Sequence, residues 1–311
     1  MAKVLVTGGA GFIGSHLVRM LLDKAYEVVV MDTLLRGNKL EKNVLNSIEF
    51  HKEDVRDAGA VIKNSTGCDY IFHFAAVLGV DIVADSPVET MEVEMLGMKN
   101  IADAASINKI EKIIYASTSG VYGHSAIERS VTEDVQLDPR TSYSIAKRFN
   151  EIYLAALYEE KGIQSISLRF FNVYGLRQDS RMVIPLFFEQ ALEGKPITVY
   201  GDGCQTRDFT HVTDSVYASI KLAEEVKGCE IFNIANEKEI EIGELAKKIK
   251  QLTNSNSDIV YLNVPKKRYD FEVERRYGNS DKLSKFIEYK PNTDINEGLN
   301  EIYKDIVNNK E

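Results

Sequence analysis

Tyr143 and Lys147 stand four residues apart in Tyr143-Ser144-Ile145-Ala146-Lys147, a spacing that puts both side chains on one face of a helix. A phenol titrates near pH ~10 in water, and an ammonium beside it favours the phenolate, so the pair is expected to act as a general base. The same lysine is suited to holding a ribose. By itself the pair has the spacing of an ordinary exposed helix face; its neighbours decide the matter. Upstream, Ile113-Ile114-Tyr115-Ala116-Ser117-Thr118-Ser119-Gly120-Val121-Tyr122-Gly123 runs from β-branched residues into a hydroxyl-rich turn. Thr118 or Ser119 there could hydrogen-bond a substrate hydroxyl or ketone and share developing charge with Tyr143, or both could merely cap the turn.

A second constellation lies at the start of the chain. Thr7-Gly8-Gly9-Ala10-Gly11-Phe12-Ile13-Gly14 follows an apolar β-type run and opens a helical pattern, the context in which a glycine-rich turn cradles a pyrophosphate. Gly8 or Gly9 permits the tight turn, Gly11 lets backbone approach phosphate, and Gly14 lets helix pack on strand. Phe12 and Ile13, inside the same turn, are further candidates for contact with the cofactor. Asp32, 18 residues after Gly14, is placed to accept hydrogen bonds from the adenosine ribose. Its charge repels a 2′-phosphate, so NAD is expected over NADP, with Arg36 nearby softening the preference. Asp54 and Val55 are candidates for the adenine edge; Asp54 serves equally as a helix cap.

These groups need a scaffold. Short β-branched runs alternate with helix-period segments through the first half of the chain, which predicts a Rossmann-type, doubly wound parallel sheet with helices on both faces. Strands are expected at 3–7, 27–31, 48–51, 70–74, 112–116 and 165–171, and helices at 12–24, 87–107 and 142–161. Later the order loosens: helices near 182–193, 214–225, 242–252 and 295–307, and short strands near 198–200 and 231–234, read as a smaller mixed α/β C-terminal lobe. The expected division is a dinucleotide domain over 1–172 and a mainly substrate-binding lobe over 173–311, with some later segments returning to the first domain. A cleft between them is the natural ligand site.

At 311 residues, such a chain buries an ample core without staples. Cys68, Cys204 and Cys229 show no metal-ligand spacing and are too few for a disulfide scaffold, so no metal is expected and the thiols read as reduced, in a cytoplasm. The N-terminal run turns glycine-rich after Val6-Thr7, too soon for the apolar core of a signal peptide or a membrane span, so a soluble protein is expected. A net charge of −9 argues against nucleic-acid or anionic-membrane binding, so an anionic ligand would need a locally basic pocket.

Taken together, Thr7 to Gly14, Asp32 with Arg36-Gly37-Asn38, His73-Phe74-Ala75-Ala76, Ser117 to Gly123, Tyr143 to Lys147, Leu168-Arg169-Phe170-Phe171-Asn172-Val173-Tyr174-Gly175, and Tyr200-Gly201-Asp202-Gly203 with Arg207-Asp208-Phe209 resemble the NAD-dependent nucleotide-sugar epimerase/dehydratase family of extended short-chain dehydrogenases/reductases. The resemblance implies Tyr143 as base, Lys147 as its partner and nicotinamide-ribose ligand, and Thr118 as the third catalytic hydroxyl. It also implies that Phe74, Ala75 and Ala76 line the cofactor, and that Asn172, Arg207 and one of Arg268, Arg275 and Arg276, with Arg268 favoured, hold the diphosphate of a nucleotide-sugar, most readily a UDP-sugar. Guanidinium suits that task through its bidentate donors and permanent charge. A homodimer through the helices at 87–107 and 142–161 is implied as well.

Within the family, enzymes that eliminate water carry an acidic pair after the threonine, to protonate the departing hydroxyl. Ser119 and Gly120 hold those positions here and supply no acid. Decarboxylases share Thr118-Ser119 but usually have glutamate at the Gly120 position. The expectation is therefore C4 epimerisation through a transient ketone with NAD retained. A UDP-glucuronate decarboxylase or an NAD(P)-consuming reductase is the rival, and a non-enzymatic dinucleotide sensor the remote one. Glu94 departs from the family's usual asparagine, and Met98 from its threonine, so carry-over to that helix is unsafe.

Overall fold

The computed structural model describes residues 2–77, 79–125, 130–266 and 273–308. The first half of the chain alternates β1 (Lys3–Thr7), α1 (Phe12–Asp23), β2 (Glu27–Met31), α2 (Lys42–Leu45), β3 (Glu49–His51), α3 (Ala58–Asn64), β4 (Tyr70–His73), α4 (Val80–Asp85), α5 (Pro87–Asn108), β5 (Lys112–Thr118), α6 (Ser142–Lys161) and β6 (Gln164–Phe170). There follow β7 (Asn172–Tyr174), α7 (Val183–Leu192), β8 (Ile197–Tyr200), β9 (Thr206–His211), α8 (Val212–Glu225), β10 (Cys229–Ile234), β11 (Glu239–Glu241), α9 (Ile242–Leu252), β12 (Ile259–Leu262), β13 (Arg275–Arg276), α10 (Asp281–Ile287) and α11 (Ile295–Asn308).

Seven strands pair in the order β10-β6-β5-β4-β1-β2-β3, all parallel, which is the expected α/β architecture. Side chains alternate between two covered faces. Val4 and Val6 enter a core with Leu17 of α1, Val216 of α8 and Leu283 of α10, whereas Leu5 and Ile113 enter another with Val61 of α3, Ile101 of α5 and Leu154 of α6. Strands buried on both sides must be apolar throughout, which is why these runs lack the polar alternation of a half-solvated sheet.

Residues 231–234, expected among the loosely ordered later elements, belong to β10, which pairs with β6 in the main sheet; Phe232 and Ile234 pack into the core shared with α1 and α8. Elsewhere in the C-terminal half, α7, β8, α9 and α11 form a separate apolar cluster around Phe187, Phe188, Val199, Leu245 and Leu299, beside a small sheet in which β9 pairs with β7, β11 and β13. Strand order reverses between β1 and β4, each followed by a crossover to an opposite side, and ligands to open α/β sheets bind at that crevice beyond the carboxyl ends. No helix among the described residues is long and apolar enough to cross a membrane.

Candidate active site

A cleft of about 390 Å³ opens over the carboxyl ends of β1, β4 and β5. Its floor is the glycine turn. Gly8 has a φ of +71°, and a Cβ there would lie 2.6 Å from the Ala75 nitrogen, so the turn and the strand end at Phe74-Ala75 press directly together. At Gly14 a Cβ would fall 2.1 Å from the Gly8 carbonyl oxygen; α1 sits against its own turn with no room for a side chain. Gly11 is the N-cap of α1 and offers no side-chain cap, and no acidic residue occupies the first turn. The helix thus presents its unsatisfied N–H groups and positive dipole end to the cleft, the arrangement that binds an anion.

Asp32 closes the far side. Its carboxylate accepts from the Ala10 nitrogen (3.0 Å) and the Leu34 nitrogen (2.8 Å), which fixes it at the end of β2 facing the cleft. Burial raises its pKa while the two N–H donors oppose the rise. Phe12, Ile13, Arg36, Asp54, Val55, Phe74, Ala75 and Ala76 all line the same cleft. Asp54 is not the cap of α3: Asp57 is, accepting from the Ala60 nitrogen, and Asp54 is forked by Arg56 at the rim, which holds its carboxyl below the usual carboxylate range. The uncapped helix end, a glycine cradle that a Cβ would fill and a cleft-facing carboxylate fit a dinucleotide.

β5 runs two residues beyond the expected end because Ser117 and Thr118 still pair with Arg169 and Phe170 of β6. This carries Thr118 to the strand's last position, at the cleft wall with Ser119. Thr118 Oγ1 accepts from the Gly120 nitrogen (3.0 Å), so it caps the single 3-10 turn at Ser119–Tyr122 and keeps its own proton for a ligand. Beneath it is a buried network absent from the sequence-based expectations. Ser117 Oγ donates to Glu151 Oε1 (2.6 Å), and Arg169 forks onto Glu151 through Nε and Nη2, both at 2.9 Å. Arg169 Nη1 also donates to the Tyr122 hydroxyl (2.9 Å). Burial would raise the Glu151 pKa, yet these donors hold it below the ordinary value. Removing one partner leaves the other charge buried, so Glu151→Gln is expected to lower stability by about 3–5 kcal/mol in urea unfolding. A loss under 1 kcal/mol would show that the network is energetically idle.

α6 begins with a reciprocal cap: Thr141 Oγ1 accepts from the Ser144 nitrogen (3.1 Å) and Ser144 Oγ accepts from the Thr141 nitrogen (3.0 Å). This fixes the first turn, and with it Tyr143, against the cleft; Lys147 follows one turn on, and both line it. Lys147 Nζ lies 5.4 Å from the Tyr143 ring centre and 4.7 Å from that of Tyr115. The electrostatics differ from the simple expectation of a phenol acidified by its ammonium. Burial, and next the charge of Glu94, push the Tyr143 hydroxyl above its ordinary value. The physical reason is that Lys147 Nζ is paired, at 3.0 Å, with Glu94 Oε2, and the two side chains are 1% and 0% exposed.

On the substrate side, Asn172 lines the cleft, as do Gln178, Asp179, Arg181, Met182 and Arg276. Arg207 is not among the described residues that line it: Nη1 donates to the carbonyls of Thr206 (2.8 Å) and Val273 (2.7 Å), which turns the head along its own small sheet. Arg268 lies outside the described residues. Arg275 is forked onto Glu239 and stacks on Tyr277, whereas Arg276, the next residue, reaches the cleft and donates to the Gly123 carbonyl (3.4 Å). Alternation along β13 sends the two neighbours to opposite sides, and of these two only Arg276 lines the cleft.

The fold and the cleft together define an α/β enzyme that binds a dinucleotide and presents a Tyr-Lys pair and a threonine hydroxyl beside it. The chain belongs to the NAD dependent epimerase/dehydratase family, whose sequence profile matches residues 4–235. A UDP-N-acetyl-alpha-D-glucosaminuronate decarboxylase of Bacillus cytotoxicus is 36% identical over 309 residues, covering 96% of each chain. A putative UDP-glucose 4-epimerase of Methanocaldococcus jannaschii is 34% identical over 311 residues, covering 98% of this chain and 99% of the other. Among solved structures, the UDP-glucose 4-epimerase of Thermotoga maritima with UDP-glucose superimposes with a TM-score of 0.93 at 29% identity, covering 99% of this chain and 100% of that one.

Proposed function

We propose that this chain is a nucleotide-sugar 4-epimerase, acting on a UDP-sugar of the glucose/galactose type or its N-acetyl or uronate analogue. Bound NAD supplies the acceptor and donor of a hydride. Tyr143 takes the proton of the C4 hydroxyl and returns it when the carbinol re-forms, Lys147 keeps an ammonium beside the phenol, and Thr118 donates to the C4 oxygen as its charge develops. Gly8, Gly11, Phe12, Ile13 and Gly14 hold the pyrophosphate, Asp32 the adenosine ribose, and Arg36, Asp54, Val55, Phe74, Ala75 and Ala76 the remainder; Asp32 favours NAD over its 2′-phosphate. Asn172 and Arg276 hold the sugar's diphosphate, with Ser119 near the ring.

The observation that carries epimerisation is the turn after Thr118. Ser119 and Gly120 place no carboxyl beside the threonine hydroxyl, so no acid is at hand to expel a hydroxyl group. Decarboxylation is the second reading, favoured by the 36% identity to a UDP-sugar-acid decarboxylase. Incubation with UDP-glucose, UDP-N-acetylglucosamine and their uronic acids, followed by NMR, separates the two. A mixture of C4 stereoisomers, with no carbon dioxide and no change at 340 nm, supports epimerisation. Loss of carboxyl from a uronate, or net NADH formation, refutes it.

A homodimer is part of the proposal. Leu96 and Ile107 on α5 and Ile145, Phe149 and Ile152 on α6 are 42–59% exposed although apolar, and α5 and α6 pack side by side. Large apolar side chains clustered on one face favour a protein partner. Phe149→Glu is expected to convert a dimer into a monomer in light scattering; an unchanged mass would move the interface elsewhere. The three cysteines are free thiols in the structure, which supports a reducing compartment such as the cytoplasm.

A further inference from the structure

Glu94 is 0% exposed in the middle of α5, on the helix line that also buries Thr90, Met98 and Ile101. Its Oε2 meets Lys147 Nζ at 3.0 Å and accepts from the Tyr115 hydroxyl at 3.3 Å, while Oε1 has no hydrogen-bond partner among the described residues. Asn150 Nδ2 ties the assembly together, donating to the Tyr115 oxygen (2.8 Å) and to the Glu94 carbonyl (3.1 Å). A carboxylate with one oxygen unsatisfied is an expensive group to bury. What it does face is the partner of the site's base.

We infer that Glu94 is a positioning residue: it holds Lys147 as an ammonium against the cleft wall and, by cancelling that charge, sets the proton affinity of the Tyr143 hydroxyl. The argument is a charge count in a buried site. Burial raises the Glu94 pKa and lowers that of Lys147, and the 3.0 Å contact between them opposes both shifts. With the pair ionised and Tyr143 protonated the three sum to zero, and loss of the phenol proton leaves −1. Without the carboxylate the same loss takes the site from +1 to zero, which burial favours. The other titratable groups facing the pair do not supply this charge. His73 of β4, stacked on Tyr115, is neutral because burial pulls its pKa down to about 3. Tyr115 of β5 is pushed well above its ordinary value by burial and by Glu94. Glu151 of α6 is engaged by Arg169 and Arg148.

The inference rests on Tyr143 being the site's base, and on neither the sugar nor the reaction class. It is tested in the NAD-loaded protein by tyrosinate absorbance near 295 nm, taking the component lost in Tyr143→Phe, for wild type and for Glu94→Gln. The Glu94→Gln midpoint is expected at least one pH unit lower, a roughly tenfold larger phenolate fraction on the low-pH flank. The low-pH limb of kcat should move the same way with KM little changed, and Glu94→Asp should restore most of the wild-type behaviour. An unmoved midpoint, or an equal loss of turnover at every pH, overturns the inference. Should Glu94→Gln and Glu94→Asn both fail to fold, the carboxylate is structural and the inference again falls. Absence of turnover with every sugar would count against the epimerase proposal and leave the titration to judge Glu94 alone.

Discussion

Tyr143→Phe is expected to lower kcat by about 10²–10⁴-fold while leaving NAD affinity within a few-fold of wild type. The phenol hydroxyl makes no hydrogen bond among the described residues, so phenylalanine fills the same space between Ser142 and Ser144 without orphaning a partner. Lys147, one turn away, keeps its ion pair with Glu94 and its place in the cleft. The loss should therefore be kinetic. Thermal unfolding of the variant should match wild type, and equilibrium titration with NAD should give an unaltered stoichiometry. Turnover surviving within tenfold would mean that another group removes the proton, and Thr118 would be the next to test.

Gly14→Ala should have the second largest effect, on binding rather than chemistry. The added methyl would fall 2.1 Å from the Gly8 carbonyl oxygen and 2.8 Å from the Gly9 Cα, both backbone atoms that cannot swing aside. Either α1 lifts from the turn or the turn unwinds, and each course moves the N–H groups that face the cleft. Overpacking of this kind costs about 1–3 kcal/mol of stability, and NAD affinity should fall by more than about 100-fold, read by calorimetry. Gly11→Ala is the control: its methyl would meet the Gly8 oxygen at 3.2 Å. It should fold nearly as well as wild type and still bind NAD less tightly. Normal binding in Gly14→Ala would show that the turn adjusts more freely than its packing suggests.

What could be read from residues alone was what is local. The glycine turn, the carboxylate ending β2 and the Tyr-Lys helix each lie within a few residues of the element that positions them, and α6 runs over the residues its periodicity gives. Partners brought together by topology were hidden. Ser117, Glu151 and Arg169 come from three elements, and the β5–β6 register together with the packing of α6 on the sheet makes them neighbours. Glu94 left a trace, since it falls on the apolar line with Thr90, Met98 and Ile101; a carboxylate on a buried stripe is itself a pointer to a buried cation. For Arg207 and Arg276 no periodic signal existed, because the choice depends on which way each side chain leaves a short strand of a small sheet.

The position of β10 bears on how this polypeptide comes into being. During synthesis β6 is complete at residue 170, yet the strand that covers its free edge begins only at residue 229, and α8, which seals the adjoining hydrophobic face, lies between them. A nascent chain halted in that interval displays an unpaired strand, the kind of template on which other chains add. Fragments ending near residue 172 should therefore clump rather than persist as a working half. The ribosome must deliver most of the protein before any of it is safe from its neighbours.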